Sequence, residues 1–401
     1  MKKLTMKRLL LVGAGMIAAA GLLPAAGQAQ DTIKIGMILP YSGQFADAGT
    51  QIDDGVKLYL KEHGDKLAGK RVEIIRKDVG GIAPPVAKRL AEELVTRDNV
   101  DILAGFALTP NALAAASVSD QAKKFMVVMN AATAIITTKS PYMIRTSLTV
   151  PQLDDTLGKW AAKQGIKDVY TMVTNYGPGI DAEGSFDKGF KGAGGNIVGS
   201  VRMAVANPDF TAYVQRAKDL KPQGIFVMIP GGSQPGAFGK ALADVGVDPN
   251  KTEIMGQLEI AQPAALKSMG DIAVGIITVG HYDTNHHSKL NEEFVKAYND
   301  TFKREPDFFS VGGYDGMHAI DLALQKAGGK TGGEALVDAA KGLSFESPRG
   351  PISIDPQTRD IIQNVYIRKV EKVDGHLVNV EIDTVPNVKD PFKAAMQAAG
   401  K

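Results

Sequence analysis

Residues 101–134, DILAGFALTPNALAAASVSDQAKKFMVVMNAATA, restrict the fold more than any other stretch of the chain. Two short apolar runs, at 102–104 and 125–129, read as strands buried on both faces, the pattern of a parallel sheet. Residues 110–124 between them read as the crossover helix that a parallel pair needs. Each strand gives way to small polar residues, Thr109-Pro110-Asn111 and Asn130-Ala131-Ala132-Thr133. These set hydroxyls, amides and backbone N–H groups at the carboxyl edge of a sheet, where α/β folds hold small and often anionic ligands.

The same unit recurs along the chain. Strands at 33–39 and 71–77, with helices around Ile52 to Leu60 and at 83–96, extend it into a βαβαβαβ series. The pattern restarts at residue 168. Strands at 168–174, 196–203, 224–229 and 253–255 alternate with helices at 180–191, 210–220 and 235–245. A strand at 276–280 is expected to return to the first unit, followed by helices at 289–302 and 312–327. A glycine- and proline-rich region is expected at 341–353, and a hairpin around Asp374-Gly375. The fold class is α/β: two doubly wound, Rossmann-like lobes with a hinge around a cleft.

The 401 residues, 44% hydrophobic and 22% charged, suffice for two domains of ordinary size. Residues 1–29 read as a secretory signal peptide: Lys2, Lys3, Lys7 and Arg8 precede an apolar run at 9–23 and the small residues around Ala29. That run is shorter than the ~20 residues a bilayer span needs. Without the leader, 42 basic residues face 44 acidic ones, and the basic excess disappears. With 6% aromatics and no basic cluster, nucleic acid is not an expected partner. No cysteine is present to form a disulfide or carry a lipid. The mature chain is expected to work outside the cytoplasm without membrane insertion.

Catalytic constellations are scarce. Gly231-Gly232-Ser233-Gln234-Pro235 lacks the last glycine of a nucleophile elbow. Gly329-Lys330-Thr331 lacks the first glycine of a phosphate loop, since Leu324 stands there, and reads as a helix C-terminal turn. The run His281-Tyr282-Asp283-Thr284-Asn285-His286-His287 offers metal-ligand types but no ligand spacing, so a solvated loop is favoured. Asp53-Asp54 and Asp154-Asp155 offer paired carboxylates for acid and base work, but they lie in or near the first turns of helices, and capping is the better reading. No enzyme activity, cofactor or metal is expected. Four loops, at 106–111, 130–133, 175–179 and 230–233, combine small residues and hydroxyls in a way that suits holding a small carboxylate without reacting with it.

The stretches DTIKIGMILPYSGQFADAGTQIDDGVKL, MNAATA, NYGPGIDAEGSFDKGFKGAGGNIVGS, PDFTAYVQRAKDLKP and EEFVKAYNDTFKREPDFFSVGGYDGMHAIDLALQKAG, in this order, resemble the periplasmic solute-binding proteins of the leucine/isoleucine/valine-binding family. These are receptors of ABC importers. The resemblance implies a type I periplasmic binding protein, a Venus flytrap, with lobes at 31–148 plus 279–353 and at 149–278 plus 354–401. It implies that Thr109, Ala131 and Thr133 hold the ligand carboxylate, that Tyr176 closes over it, and that Leu108 and Phe309 flank it. It also counts Gln257 among the ligand contacts and puts Leu258, the next residue, where amino-acid binders carry the acid that meets the ligand ammonium. Glu259, one place on, is expected to point the other way on an extended strand. Ala48 and Gly231 or Gly232 stand where relatives carry bulky aromatics, which implies a roomier pocket.

The expected function is therefore that of a periplasmic, monomeric solute receptor for an ABC permease. An aromatic or aryl-aliphatic acid is the favoured ligand, followed by a branched-chain or other hydrophobic amino acid, then a short amide or urea. A ligand-sensing receptor for a signalling partner is the alternative from another class.

Overall fold

The computed structural model describes residues 32–398, so the expected signal peptide lies outside the described residues. The chain begins with β1 (Ile33–Leu39), α1 (Ala46–Glu62), β2 (Lys66–Leu67), β3 (Lys70–Asp78), α2 (Pro84–Thr96), β4 (Ile102–Gly105), α3 (Thr109–Ala122), β5 (Phe125–Val128) and β6 (Met143–Arg145). Their strands form a six-stranded sheet in the order β2-β3-β1-β4-β5-β6, parallel but for β2. Every residue of β4, β5 and β6 is buried. Helices covering both faces of a parallel sheet require that.

The chain then leaves this sheet. It forms α4 (Val150–Lys163), β7 (Asp168–Thr174), α5 (Gly177–Gly192), β8 (Asn196–Met203), α6 (Phe210–Asp219), β9 (Gly224–Met228), α7 (Gln234–Val245), β10 (Glu253–Gln257), α8 (Pro263–Met269) and β11 (Ile277–Gly280). Three helices follow, α9 (Lys289–Phe302), α10 (Phe308–Lys326) and α11 (Gly333–Ala340), and these pack back on the first lobe through α1 and β5. The C-terminal part is β12 (Ser344–Ser347), β13 (Gly350–Ile354), β14 (Ile361–Val373), β15 (His376–Val388) and α12 (Pro391–Ala398).

The second sheet has nine strands in the order β12-β13-β14-β11-β10-β9-β7-β8, with β15 on the other edge of β14. This corrects one expectation. β11 does not return to the first unit but pairs parallel with β10 and antiparallel with β14. The glycine- and proline-rich region at 341–353 supplies the hairpin β12–β13 to the same sheet, so the expected lobe boundaries at 279 and 353 do not follow the strand pairing. A buried apolar run identifies a strand; it does not identify the partner.

The strand orders explain where a ligand can sit. In the first sheet the chain goes from β1 outward to β3 and then back across to β4, so the loops after β1 and β4 diverge. In the second, β7 lies between β8 and β9, and the loops after β7 and β9 diverge in the same way. Each sheet thus has a crevice at the carboxyl ends of its strands.

Small residues set how closely the helices approach. A Cβ on Gly55 of α1 would lie 1.9 Å from the Ser310 carbonyl of α10, and one on Gly313 would lie 2.0 Å from the Ile52 carbonyl. Nothing lies within 4 Å of a Cβ on Gly184 of α5. Gly55→Ala is therefore expected to cost about 2 kcal/mol or more in denaturant unfolding, whereas Gly184→Ala should gain up to ~1 kcal/mol by helix propensity. Equal effects would mean that the α1–α10 approach is not a packing constraint.

Candidate functional site

The two crevices face one pocket, about 710 Å³ when counted out to its open mouth. Its lining comes from the loops at both switch points: Gln44 to Ala48 without Ala46, Ala107 to Thr109, Tyr176 and Pro178, and Met228 to Gly232 without Ile229. Asn130, Ala132, Val150, Gln257, Glu259, Gln262 and Phe309 complete it. The walls are mainly apolar, with aromatic faces from Phe45, Tyr176 and Phe309. Among the described residues no lysine or arginine lines it.

Positive potential comes from the backbone instead. The first turns of α1, α3, α4, α5 and α10 each contribute to the lining, through Ala48, Thr109, Val150, Pro178 and Phe309. Helix N-termini carry the positive end of the peptide dipoles, so five of them around one pocket favour an anion, although first-turn N–H groups of α4 and α10 are already taken by their caps. Local sequence fixes these ends. Pro110, Pro151 and Pro178 stand second in α3, α4 and α5, within the first turn, where a missing N–H breaks no helical hydrogen bond. Thr149 forms a capping box with Gln152, and Asp307 forms one with Ser310 that seats Phe309.

Of the eleven residues expected at the site, eight line the pocket: Ala48, Leu108, Thr109, Tyr176, Gly231, Gly232, Gln257 and Phe309. Ala131, Thr133 and Leu258 do not. Thr133 lies behind Thr109: its Oγ1 donates to Thr109 Oγ1 at 3.1 Å, and its N–H approaches the same oxygen at 3.4 Å. With its lone pairs thus engaged, the Thr109 hydroxyl is left to act as a donor. Ala131 is buried, and its carbonyl accepts from Arg145 Nη1 at 3.1 Å.

The expected facing of Leu258 and Glu259 is reversed. β10 ends at Gln257, and residues Leu258–Ala261 form a 3₁₀ turn, so strand alternation stops one residue too early for the extended-strand reading. Leu258 turns toward Gly280, Tyr282 and Arg368, and Glu259 lines the pocket. Glu259 Oε2 is sealed from solvent without a hydrogen-bond partner. Burial pushes its carboxyl up to about 7, against the pull of Arg368 beneath it.

Two further expectations change. Asp154 caps nothing: it lies in the second turn of α4, fully buried, and accepts from Gln257 Nε2 at 2.6 Å. Burial raises its pKa well above the usual carboxylate range, and Glu259 and Asp181 add to that. Asp53 pairs with Arg76 and Lys57, and Asp54 with Lys57 and Arg304, in place of capping α1. The run from His281 is not wholly solvated, since His281, Tyr282 and Asp283 are buried and Asp283 pairs with Arg368 at 3.1 Å. Among the described residues no group of acids and histidines is arranged to hold a metal.

Sequence reading passed over Phe45, Met228 and Gln262. Phe45 sits in the glycine-broken loop after β1, and the switch-point rule would have marked that loop.

A family model described as periplasmic binding protein matches residues 32–375. The chain belongs to that family. It is 41% identical over 372 residues to Leu/Ile/Val-binding protein homolog 6 of Brucella abortus (strain 2308), covering 92% of this chain and 95% of that one. Among solved structures, the solute-binding protein of an ABC transporter from Rhodopseudomonas palustris BisB5, in complex with 3,4-dihydroxy benzoic acid, is 49% identical. It superposes with a TM-score of 0.87 over 90% of this chain and 99% of that one. The corresponding protein from R. palustris HaA2, in complex with p-hydroxybenzoic acid, is 39% identical with a TM-score of 0.88, over 91% and 100% of the two chains. The fold is thus that of the type I periplasmic binding proteins, two lobes joined at a hinge.

Closure between these lobes has a direct contact outside the pocket lining: the Ala134 N–H of the first lobe donates to Asp181 Oδ2 of α5 at 2.9 Å. Asp181→Ala should therefore weaken ligand binding several-fold in calorimetric titration although it leaves the pocket wall intact, because a ligand shifts closure only by its preference for the closed state. Glu259 predicts a pH effect. A carboxyl raised from about 4.5 to about 7 on folding adds no penalty below the lower value and its full penalty above the higher one. Glu259→Gln should raise the Tm at pH 8, and the gain should shrink toward zero by pH 5.

Proposed function

We propose that this chain is the solute receptor of an ABC importer: exported to the periplasm by its N-terminal signal, it encloses a small aromatic carboxylate and presents the closed form to a permease. It binds and releases its ligand unchanged. The observation that carries this reading is the pocket without basic side chains ringed by five helix N-termini. A monoanion is stabilised there by N–H groups and the Thr109 hydroxyl, and the flat faces of Phe45, Tyr176 and Phe309 suit a ring. The hydroxybenzoates held by the R. palustris proteins, at 39–49% identity, support the same ligand class.

A second reading is a hydrophobic amino acid. Glu259 in the lining favours it, because an ionised carboxylate there would meet an ammonium, and the Brucella relative carries a Leu/Ile/Val-binding name. Against it stands the burial that keeps Glu259 protonated up to about neutral pH.

A thermal-shift series with benzoate, 4-hydroxybenzoate and leucine separates the two, since a ligand at 100 times its Kd stabilises by about 2.7 kcal/mol. The aromatic acids should raise the Tm by a few degrees and leucine should not; the reverse would assign the amino acid. Thr109→Val should weaken the aromatic acid about tenfold or more by loss of a bond to a charged group. Thr133→Val, one shell removed, should cost less.

A further inference from the structure

We infer that Glu259 selects ligands carrying a hydroxyl on the ring, at the end remote from the carboxylate. The inference rests on the aromatic-acid reading above and deepens it.

The argument starts from charge and placement. Thr109 opens α3 above the first sheet, and Glu259 follows β10 of the second, so the two groups approach the pocket from opposite lobes. A ligand carboxylate beside Glu259 would set like charges together or compete with a buried acid; beside Thr109 it finds a hydroxyl left to donate and the positive end of α3. The anion therefore takes the Thr109 side, and the far end of the ring faces Glu259.

The state of Glu259 then decides what that far end must carry. Its Oε2 is sealed and has no partner within the protein. The groups around it make no hydrogen bond to it: Gln257 Nε2 is spent on Asp154 and Arg368 Nη1 on the Tyr282 carbonyl and Asp283, while Arg368 Nε and Nη2 and Gln262 Nε2 are buried donors that pair with nothing, Glu259 included. Tyr176 and Asp154 add only the negative or neutral sign. An unsubstituted benzoate would close the cleft over a polar atom left unpaired, which is the costly case. A ring hydroxyl fits either form of the acid, since it donates to a carboxylate and accepts from a carboxyl. A methyl of similar size does neither.

The experiment is calorimetric titration of the full mature chain with benzoate, 4-hydroxybenzoate and 4-methylbenzoate, with leucine as a control. The wild type should prefer 4-hydroxybenzoate to both other acids by roughly tenfold or more. Glu259→Leu should abolish that preference. Glu259→Gln, which retains a donor and an acceptor, should preserve most of it. Equal binding of the three acids by the wild type overturns the inference and leaves the aromatic-acid reading standing, and this comparison needs no variant to fold. A preference that survives in Glu259→Leu also overturns it. Binding of leucine that is lost in Glu259→Leu would assign Glu259 to an ammonium and overturn both. Binding of no aromatic acid at all removes the underlying reading, and the inference with it.

Discussion

The site depends on one buried guanidinium. Arg145, at the end of β6, has no exposure, and its Nε and Nη2 donate to Asp360 Oδ1 at 2.9 and 2.7 Å. Its remaining N–H groups take the carbonyls of Ala131 and Thr133 at 3.1 and 2.8 Å, and of Ala134 at 3.4 Å. Held by Arg145, these carbonyls are paired inside the first lobe, and the loop that seats Thr133 behind Thr109 is fixed with them. Asp360 is held in turn by Lys393 and lies against Thr137, so the C-terminal segment beyond β13 shapes a loop of the first lobe more than 200 residues earlier. Such a group is costly to bury singly and is tolerated because every partner is in place.

The remainder of the site follows from topology. Two doubly wound sheets bring their switch points together, and helices that start at those points supply the field. Basic side chains are kept elsewhere, at the crossings between lobes, where Arg349 donates to the Ser147 carbonyl and to Gln363, and contacts the Thr146 carbonyl. The division is physical: long flexible cations would fill a pocket meant for a ring, whereas helix ends are already fixed by their own hydrogen bonds.

How much of this the sequence carried differs from element to element. Ile33–Leu39, Asp168–Thr174 and Asn196–Met203 coincide with their expected spans, because strand runs bounded by glycine, asparagine and proline are distinctive. The loops after β4, β5, β7 and β9 were legible for the same reason. The destination of Ile277–Gly280 was not, because pairing depends on contacts with β10 and β14 that no local pattern encodes. The exchange of Leu258 and Glu259 had a narrower cause: a strand of five residues gives way to a 3₁₀ turn at the position where facing mattered. Thr133 was placed one shell too close because its hydroxyl addresses Thr109, a pairing between two loops 24 residues apart.

The position of β14 also has a consequence for how the chain acquires its structure. β14 is an interior strand of the nine-stranded sheet, flanked by β11 and β13 with β15 running along it, yet it is drawn from residues 361–373. Until that late segment arrives, β11 is an uncovered apolar edge whose residues are all buried in the finished molecule. The second lobe therefore stays incomplete while the chain is synthesised, and only the first sheet, closed by residue 145 and awaiting its helices α9 to α11, has all its strands early. Long-range pairing of this kind delays folding. A fold that the last fifth of the sequence completes is a fold that does not set until nearly the whole chain is present.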